Sequence, residues 1–341
     1  AINPVVSGSG RVYLSTSVYF DDADVIALNE ASGQQAWAVP FPSVPAMNPP
    51  AVVGNELFVA TTGHEKTFLW KLAADSGSVS FRVPFDGQWP HVLSPTIFED
   101  AVYTNGGYFG GQVYAYDRAT GTDLWSNGAG DDDMSTPAVD RNYVYHYSGA
   151  GLVVLNRATG TLAKQIPDPA SEARSGYSYH AAPIIGSHGN VIAYSGSAFS
   201  GRADATTEQF EERPLASFKI AAGSVEWTTT RKYNTAPAVV GGVLYAASKS
   251  NLSVDAIDET TGQVLWSWSP GPSLGDNAFH RNIIATRTHL FVSTNASVYA
   301  IDLSTRASVW RHPEPGQLAI TANRTLLIVV GGQELTGKLV A

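Results

Sequence analysis

Three histidines stand at matching places, each just ahead of an apolar run: His91 in HVLSP, His180 in HAAPII and His280 in HRNII. A neutral imidazole is a suitable proton acceptor near pH 7, and three that converge are a ligand set for a divalent ion such as Mn, Zn or Ca. The competing reading is three separate hydrogen-bonding histidines under loops. Tyr177 and Tyr179 lead into His180, Arg231, Lys232 and Tyr233 form a second cluster, and Arg281 follows His280. Trp89 in FDGQWPHV could stack on a sugar face or anchor its loop, and Tyr108 lies in the loop GGYFGG. These types suit β-elimination from a uronate. Arg neutralises the carboxylate, His or Tyr takes the C5 proton, and a second acid protonates the leaving oxygen. Other chemistries lack their residues. GDDDM (130 to 134) has no EF-hand spacing and reads as a solvated acidic loop. GGYFGG has no helix after it to hold a phosphate, and no G-x-S-x-G elbow is present.

A repeat must position these residues. GGQVYAYDRATGTDLW (110 to 125) recurs in seven versions, each a strand, a tight turn and a second strand. The turn glycine is Gly33, Gly77, Gly121, Gly160, Gly223 or Gly262, and four residues on stands Trp37, Phe81, Trp125, Lys164, Trp227 or Trp266. The seventh copy has Arg306 in the glycine's place ahead of Trp310, so a turn of another type is expected there. Ahead of each unit lie two further strands joined by a tight turn, as in TAPAVVGGVLYAAS (235 to 248). Four short strands per copy is the period of a β-propeller blade. The expected fold is all-β, one propeller domain over 1–341 with four-stranded antiparallel blades. Eight blades are expected, the last with three strands, and seven is the alternative. The longest copy carries the insertion SGSAFSGRADATTEQFEERP between its second and third strands, where function concentrates.

Composition narrows the partners. A formal charge of −9 with only 21 Lys and Arg argues against a nucleic-acid surface. The absence of cysteine removes disulfides, thiolate metal sites and cysteine nucleophiles. No apolar run is long enough to span a membrane, and the strand pattern begins at once, so a signal peptide is expected to be absent or already removed. Sequons at Asn251, Asn295 and Asn323, with low charge and abundant Tyr, Trp, Gly and Ser, point to a secreted glycoprotein, a periplasmic one being the alternative.

The units VYAYDRATGTDLW, VDAIDETTGQVLW and VYAIDLSTRASVW resemble the PQQ-like repeat of the quinoprotein alcohol dehydrogenase-like propellers, over nearly the whole chain. The resemblance implies that the first strand of each blade lines a central channel. It also implies that the loops between blades and those between second and third strands share one face, opposite the ATG-type turns. That face would receive the residues named above. Dehydrogenases of the group carry a disulfide of adjacent cysteines over their quinone, so PQQ is not expected in this chain. The function expected is a uronate lyase acting on an acidic polysaccharide or oligosaccharide, with His91, His180, Tyr179 and Tyr177 catalytic. Trp89, Arg231, Lys232, Tyr233, Arg281 and Tyr108 would bind substrate, and His91, His180 and His280 could hold the metal. The alternative is a non-catalytic scaffold, sensor or sugar-binding module.

Overall fold

Short runs of alternating apolar residues, cut by turns, can satisfy their backbone only by pairing with their neighbours in sequence. A computed structural model describes residues 2–16, 19–63, 65–87, 94–106, 112–128, 136–171, 182–196, 212–271, 274–330 and 337–341. Among them are 31 strands and no helix, in antiparallel sheets that follow chain order. Blades three to seven are separate four-stranded sheets. Blades one and two share one sheet because the long outer strand of blade one, Gln35–Met47, pairs Ala46 with Thr62 of the next blade. Blade eight has three strands, Gln317–Ile320, Leu326–Val330 and Lys338–Val340, as the repeat count predicts.

The core lies between blades rather than within them. Tyr145, Tyr147, Leu152 and Val154 of blade four, for example, pack on Val191, Ala193 and Phe218 of blade five. Near the axis, polar side chains tie one inner strand to the next. Thr96 Oγ1 donates to the Pro137 carbonyl at 2.8 Å, Thr136 Oγ1 to the Ser94 carbonyl at 2.8 Å and Asn282 Nδ2 to the Leu318 carbonyl at 2.8 Å.

The repeated turn also does the work of docking. Asp117 Oδ1 accepts from the Ala119 and Thr120 amides at 3.0 and 2.7 Å, which fixes the turn, and Asn29, Asn156, Asp258 and Asp302 do the same in their copies. The glycine then takes φ of 69° at Gly33, 77° at Gly121, 68° at Gly160 and 71° at Gly262, as the shared motif requires. From blade two to blade seven each such turn meets the outer strand of the preceding blade. A Cβ on Gly160 would lie 2.4 Å from Trp125, one on Gly77 2.7 Å from Val39 and 2.8 Å from Trp37, and one on Gly262 2.7 Å from Trp227. The same indoles donate to the carbonyl three residues before the glycine: Trp37 to Ala74 at 3.1 Å, Trp125 to Arg157 at 2.8 Å, Trp227 to Glu259 at 2.9 Å.

Where the tryptophan is replaced, the carbonyl keeps a donor. Lys164 Nζ reaches Ile220 O at 2.6 Å, and where Phe81 covers Gly121, Lys71 Nζ donates to Arg118 O at 2.8 Å. The expectation for the seventh copy is corrected. Arg306 adopts the glycine's own conformation, φ 59°, and its amide donates to Asp302 O at 2.7 Å as Gly121 does to Asp117 O at 2.8 Å. The Asp302 carboxylate accepts from Ser304 and Thr305, which holds the turn in spite of the side chain, and the guanidinium lies over the Trp266 ring, 5.7 Å from its centroid.

Candidate functional site

Because all neighbouring strands are antiparallel, the connections between blades and those between second and third strands emerge on one face, and the docking turns on the other. The loop face is where the sequence places its chemistry. His91, His180, Tyr177, Tyr179, Trp89 and Tyr108 lie outside the described residues. Arg281 is in the strand Phe279–Ala285 beside His280, which is buried at the inner edge of blade seven. No group of three or more His, Asp or Glu side chains is arranged to hold a metal among the described residues.

The connection from blade five into blade six, 229 to 235, is described in full. Its backbone is pinned by a two-way bridge: Tyr233 N donates to Arg213 O at 2.8 Å and Arg213 N to Tyr233 O at 3.0 Å. Thr229 Oγ1 closes its bend on the Arg231 carbonyl at 2.8 Å. Beneath it stands Asp255, wholly buried in the third strand of blade six, Ser253–Asp258. Its two oxygens accept from Arg231 Nη1 at 3.0 and 2.9 Å, Tyr233 Oη at 2.9 Å and Ser267 Oγ at 2.7 Å. A buried carboxylate survives only with such a set of partners.

Two of the substrate-binding candidates thus have a definite place. Tyr233 is fully buried, and burial, then the Asp255 charge, push its phenol up, so it holds its proton and donates to the carboxylate. Arg231 spends one nitrogen on Asp255, whose hydrogen bond raises its pKa further, while its side chain stays 44% exposed. It is a fixed cation with an open edge. Lys232 beside it is exposed. Asn234, next in the chain, is wholly buried with neither Oδ1 nor Nδ2 hydrogen-bonded, although its amide donates to Ala247 O at 2.9 Å. Unsatisfied groups of this kind cost roughly 1–3 kcal/mol and are rare in folded proteins.

Glu212 borders the same region. It accepts from Ser248 Oγ and the Ser250 amide, 3.0 and 2.9 Å, tying the end of the blade-five insertion to blade six. Burial opposes its charge, but the Ser250 and Ser248 hydrogen bonds win and hold its carboxyl below the usual range. On the opposite, turn face a cleft of about 730 Å³ opens between the inner strands of the same two blades, walled by Ile184, Ile185, Pro237, Val239 and Val240. Ser187 also lines it, and its hydroxyl is spent on Glu259 at 2.7 Å.

The sequence reading missed Asp255, Asn234 and Glu212. Asp255 had a signal, for it stands in VDAID where VYAYD and VYAID carry Tyr114 and Tyr299. The other copies carry Ile26, Trp70, Val153 or Ala216 at that position, so Asp255 is its one carboxylate, and a carboxylate where the repeat is otherwise apolar or aromatic marks a buried charge with a dedicated partner.

A sequence profile of the family described as outer membrane protein assembly factor BamB matches residues 21–268. The chain belongs to this family. As a BamB-family chain it superposes on BamB from Moraxella catarrhalis with a TM-score of 0.66 and 15% identity, over 97% of this chain and 91% of that one. It superposes on a quinohemoprotein alcohol dehydrogenase from Comamonas testosteroni with a TM-score of 0.61 and 17% identity, over 92% of this chain and 68% of that one. Both likenesses establish the PQQ-like propeller fold. In sequence the chain is 23% identical to tetrathionate hydrolase of Acidithiobacillus ferrooxidans, over 97% of this chain and 69% of that protein. The chain has no cysteine, so no disulfide of adjacent cysteines can form in it. No helix among the described residues is long and apolar enough to cross a membrane.

Proposed function

We propose that the loop face of this propeller binds an anionic substrate and acts on it, in a secreted or periplasmic setting. The observation that carries the reading is Arg231, held in one orientation by a buried carboxylate with its outer edge open. Fixing the guanidinium in advance removes its ordering cost on binding. A planar, permanently charged fork suits carboxylate and sulfonate oxygens. Lys232 follows it in the chain and the unsatisfied Asn234 stands three residues on.

Two anion classes suit this arrangement. The first is a uronate glycan, cleaved by β-elimination, with His180 or His91 as proton acceptor and Tyr177 or Tyr179 as acid. The second is a polythionate, favoured by the hydrolase that the chain matches along 97% of its length. Purified protein would be offered tetrathionate and a panel of uronate polysaccharides, with loss of tetrathionate followed in one arm and ultraviolet absorbance of an unsaturated uronate in the other. Whichever substrate is consumed, Arg231→Ala should raise its KM about 10- to 100-fold, the worth of a charged hydrogen bond of roughly 1.5–3 kcal/mol. Turnover of neither anion, or a KM indifferent to Arg231→Ala, would defeat the proposal.

A further inference from the structure

Blades one, two and six each place a buried asparagine just ahead of the inner strand, with its amide closed on the second strand. Asn3 N donates to Ser15 O at 3.0 Å, Asn48 N to Ala60 O at 3.0 Å and Asn234 N to Ala247 O at 2.9 Å. In the first two the side chain is spent inside the fold. Asn3 Nδ2 donates to Ser15 Oγ and Met47 O, both at 2.9 Å, and Asn48 Nδ2 to Ala60 O at 3.1 Å and Thr62 Oγ1 at 3.0 Å. Asn234 is just as buried, yet neither end of its amide has a partner. A second such group stands across the seam. Ser195, directly after the second strand of blade five, Asn190–Tyr194, is buried with its Oγ unbonded. Ser195 N donates to Pro214 O at 2.8 Å, Arg213 N to Tyr233 O at 3.0 Å, and Tyr194 Oη to Thr235 O. Ser195 and Asn234 thus belong to one backbone network with the connection that carries Arg231.

We propose that Asn234 and Ser195 complete the anion site of Arg231, and that its ligand is a sugar acid, in which a carboxylate and hydroxyl groups occur together; the step rests on the loop face being that anion site. Arg231 takes the carboxylate. The amide of Asn234 and the hydroxyl of Ser195 each have both a donor and an acceptor to satisfy, so they call for a ligand group that also does both. A sugar hydroxyl does. An ionised polythionate offers acceptors alone and leaves Asn234 Oδ1 bare, and a neutral sugar gives Arg231 nothing to pair with. Unpaired buried groups put the discrimination where it is strongest, because a site built to hydrogen-bond a hydroxyl rejects an analogue that lacks it.

The test titrates the intact protein by calorimetry with a panel of uronate disaccharides, the matching neutral disaccharides and tetrathionate. At least one uronate disaccharide should bind saturably, with the neutral sugars and tetrathionate about tenfold weaker or more. Arg231→Ala should weaken both anions, whereas Asn234→Ala should weaken the uronate about tenfold or more and leave tetrathionate unchanged, and Ser195→Ala should act in the same direction. Stability gives a second readout. Asn234→Ala removes no hydrogen bond of the side chain and should keep the parent denaturation midpoint, while Asn48→Ala removes two and should lower it. Uronate binding that is lost with Arg231→Ala but untouched by Asn234→Ala would overturn the role of Asn234 and leave the loop-face reading standing. Tighter binding of tetrathionate than of any uronate would overturn it too, as would a midpoint lowered in Asn234→Ala as far as in Asn48→Ala, the mark of a structural group. No binding of any anion would defeat both.

Discussion

Replacing Gly160 and Gly33 by alanine would separate two costs that coincide at most turn glycines of this fold. Both have φ near 70°, 68° and 69°, so both variants pay the left-handed backbone penalty of about 1–2 kcal/mol. At Gly33 no further cost arises, because beyond its chain neighbours no atom of the described residues lies within 4 Å of the new methyl. At Gly160 the methyl would sit 2.4 Å from Trp125 Cδ2 and 2.5 Å from Cε3, so the indole must move. Moving it strains a packed seam by about 1–3 kcal/mol and loosens the 2.8 Å bond to the Arg157 carbonyl, worth about 1 kcal/mol. Gly160→Ala should therefore cost about 3–6 kcal/mol and Gly33→Ala about 1–2 kcal/mol, a gap of about 2–4 kcal/mol. Urea titrations followed by far-ultraviolet circular dichroism would measure both. Equal losses in the two variants would show that the turn conformation alone holds the seams and that the indole contact adds nothing.

Lys164→Trp should be accepted and should raise the denaturation midpoint, because the space over Gly223 is open and the Ile220 carbonyl already takes a donor there; a lowered midpoint would show that the lysine seam is built differently. His146 is wholly buried and burial pulls its pKa down to about 4, whereas an unfolded imidazole titrates near 6.5. Its contribution is full above about pH 6.5 and is lost as pH falls towards 4, so His146→Phe should flatten the acid limb of stability in that window, and an unchanged limb would count against it. Asp302 is held down to about 2, first by the Ser304 hydroxyl and then by the Thr305 amide, so its turn should be intact above the ordinary Asp range near 4 and loosen as pH drops towards 2. Amide exchange at Ser304 and Thr305 that shows no such dependence would refute it.

The fold was legible because the repeat states its own geometry: period-2 strands, an Asx residue, a glycine and an aromatic at fixed spacing admit one hairpin, and blade count follows by addition. Arg306 shows the limit of reading residues singly. A left-handed position without glycine suggested a different turn, whereas the Asp302 hydrogen bonds impose the same one. The loop face was less legible, since connections between blades have no repeat to fix where side chains point. Arg231 and Tyr233 were chosen for their chemistry, yet their orientation is set by Asp255, which comes from a different strand. Only its being the one carboxylate at that position of the repeat could have announced that.

Every docking contact runs the same way round the ring, with the covering side chain on one blade and the accepting carbonyl on the blade that follows. The molecule therefore behaves as a chain of nearest-neighbour couplings bent into a circle, each link reading only the unit ahead. Such a circle is as cooperative as its weakest joint. Among the described residues the joints on either side of blade eight show no such contact, so the couplings of the ring are weakest there.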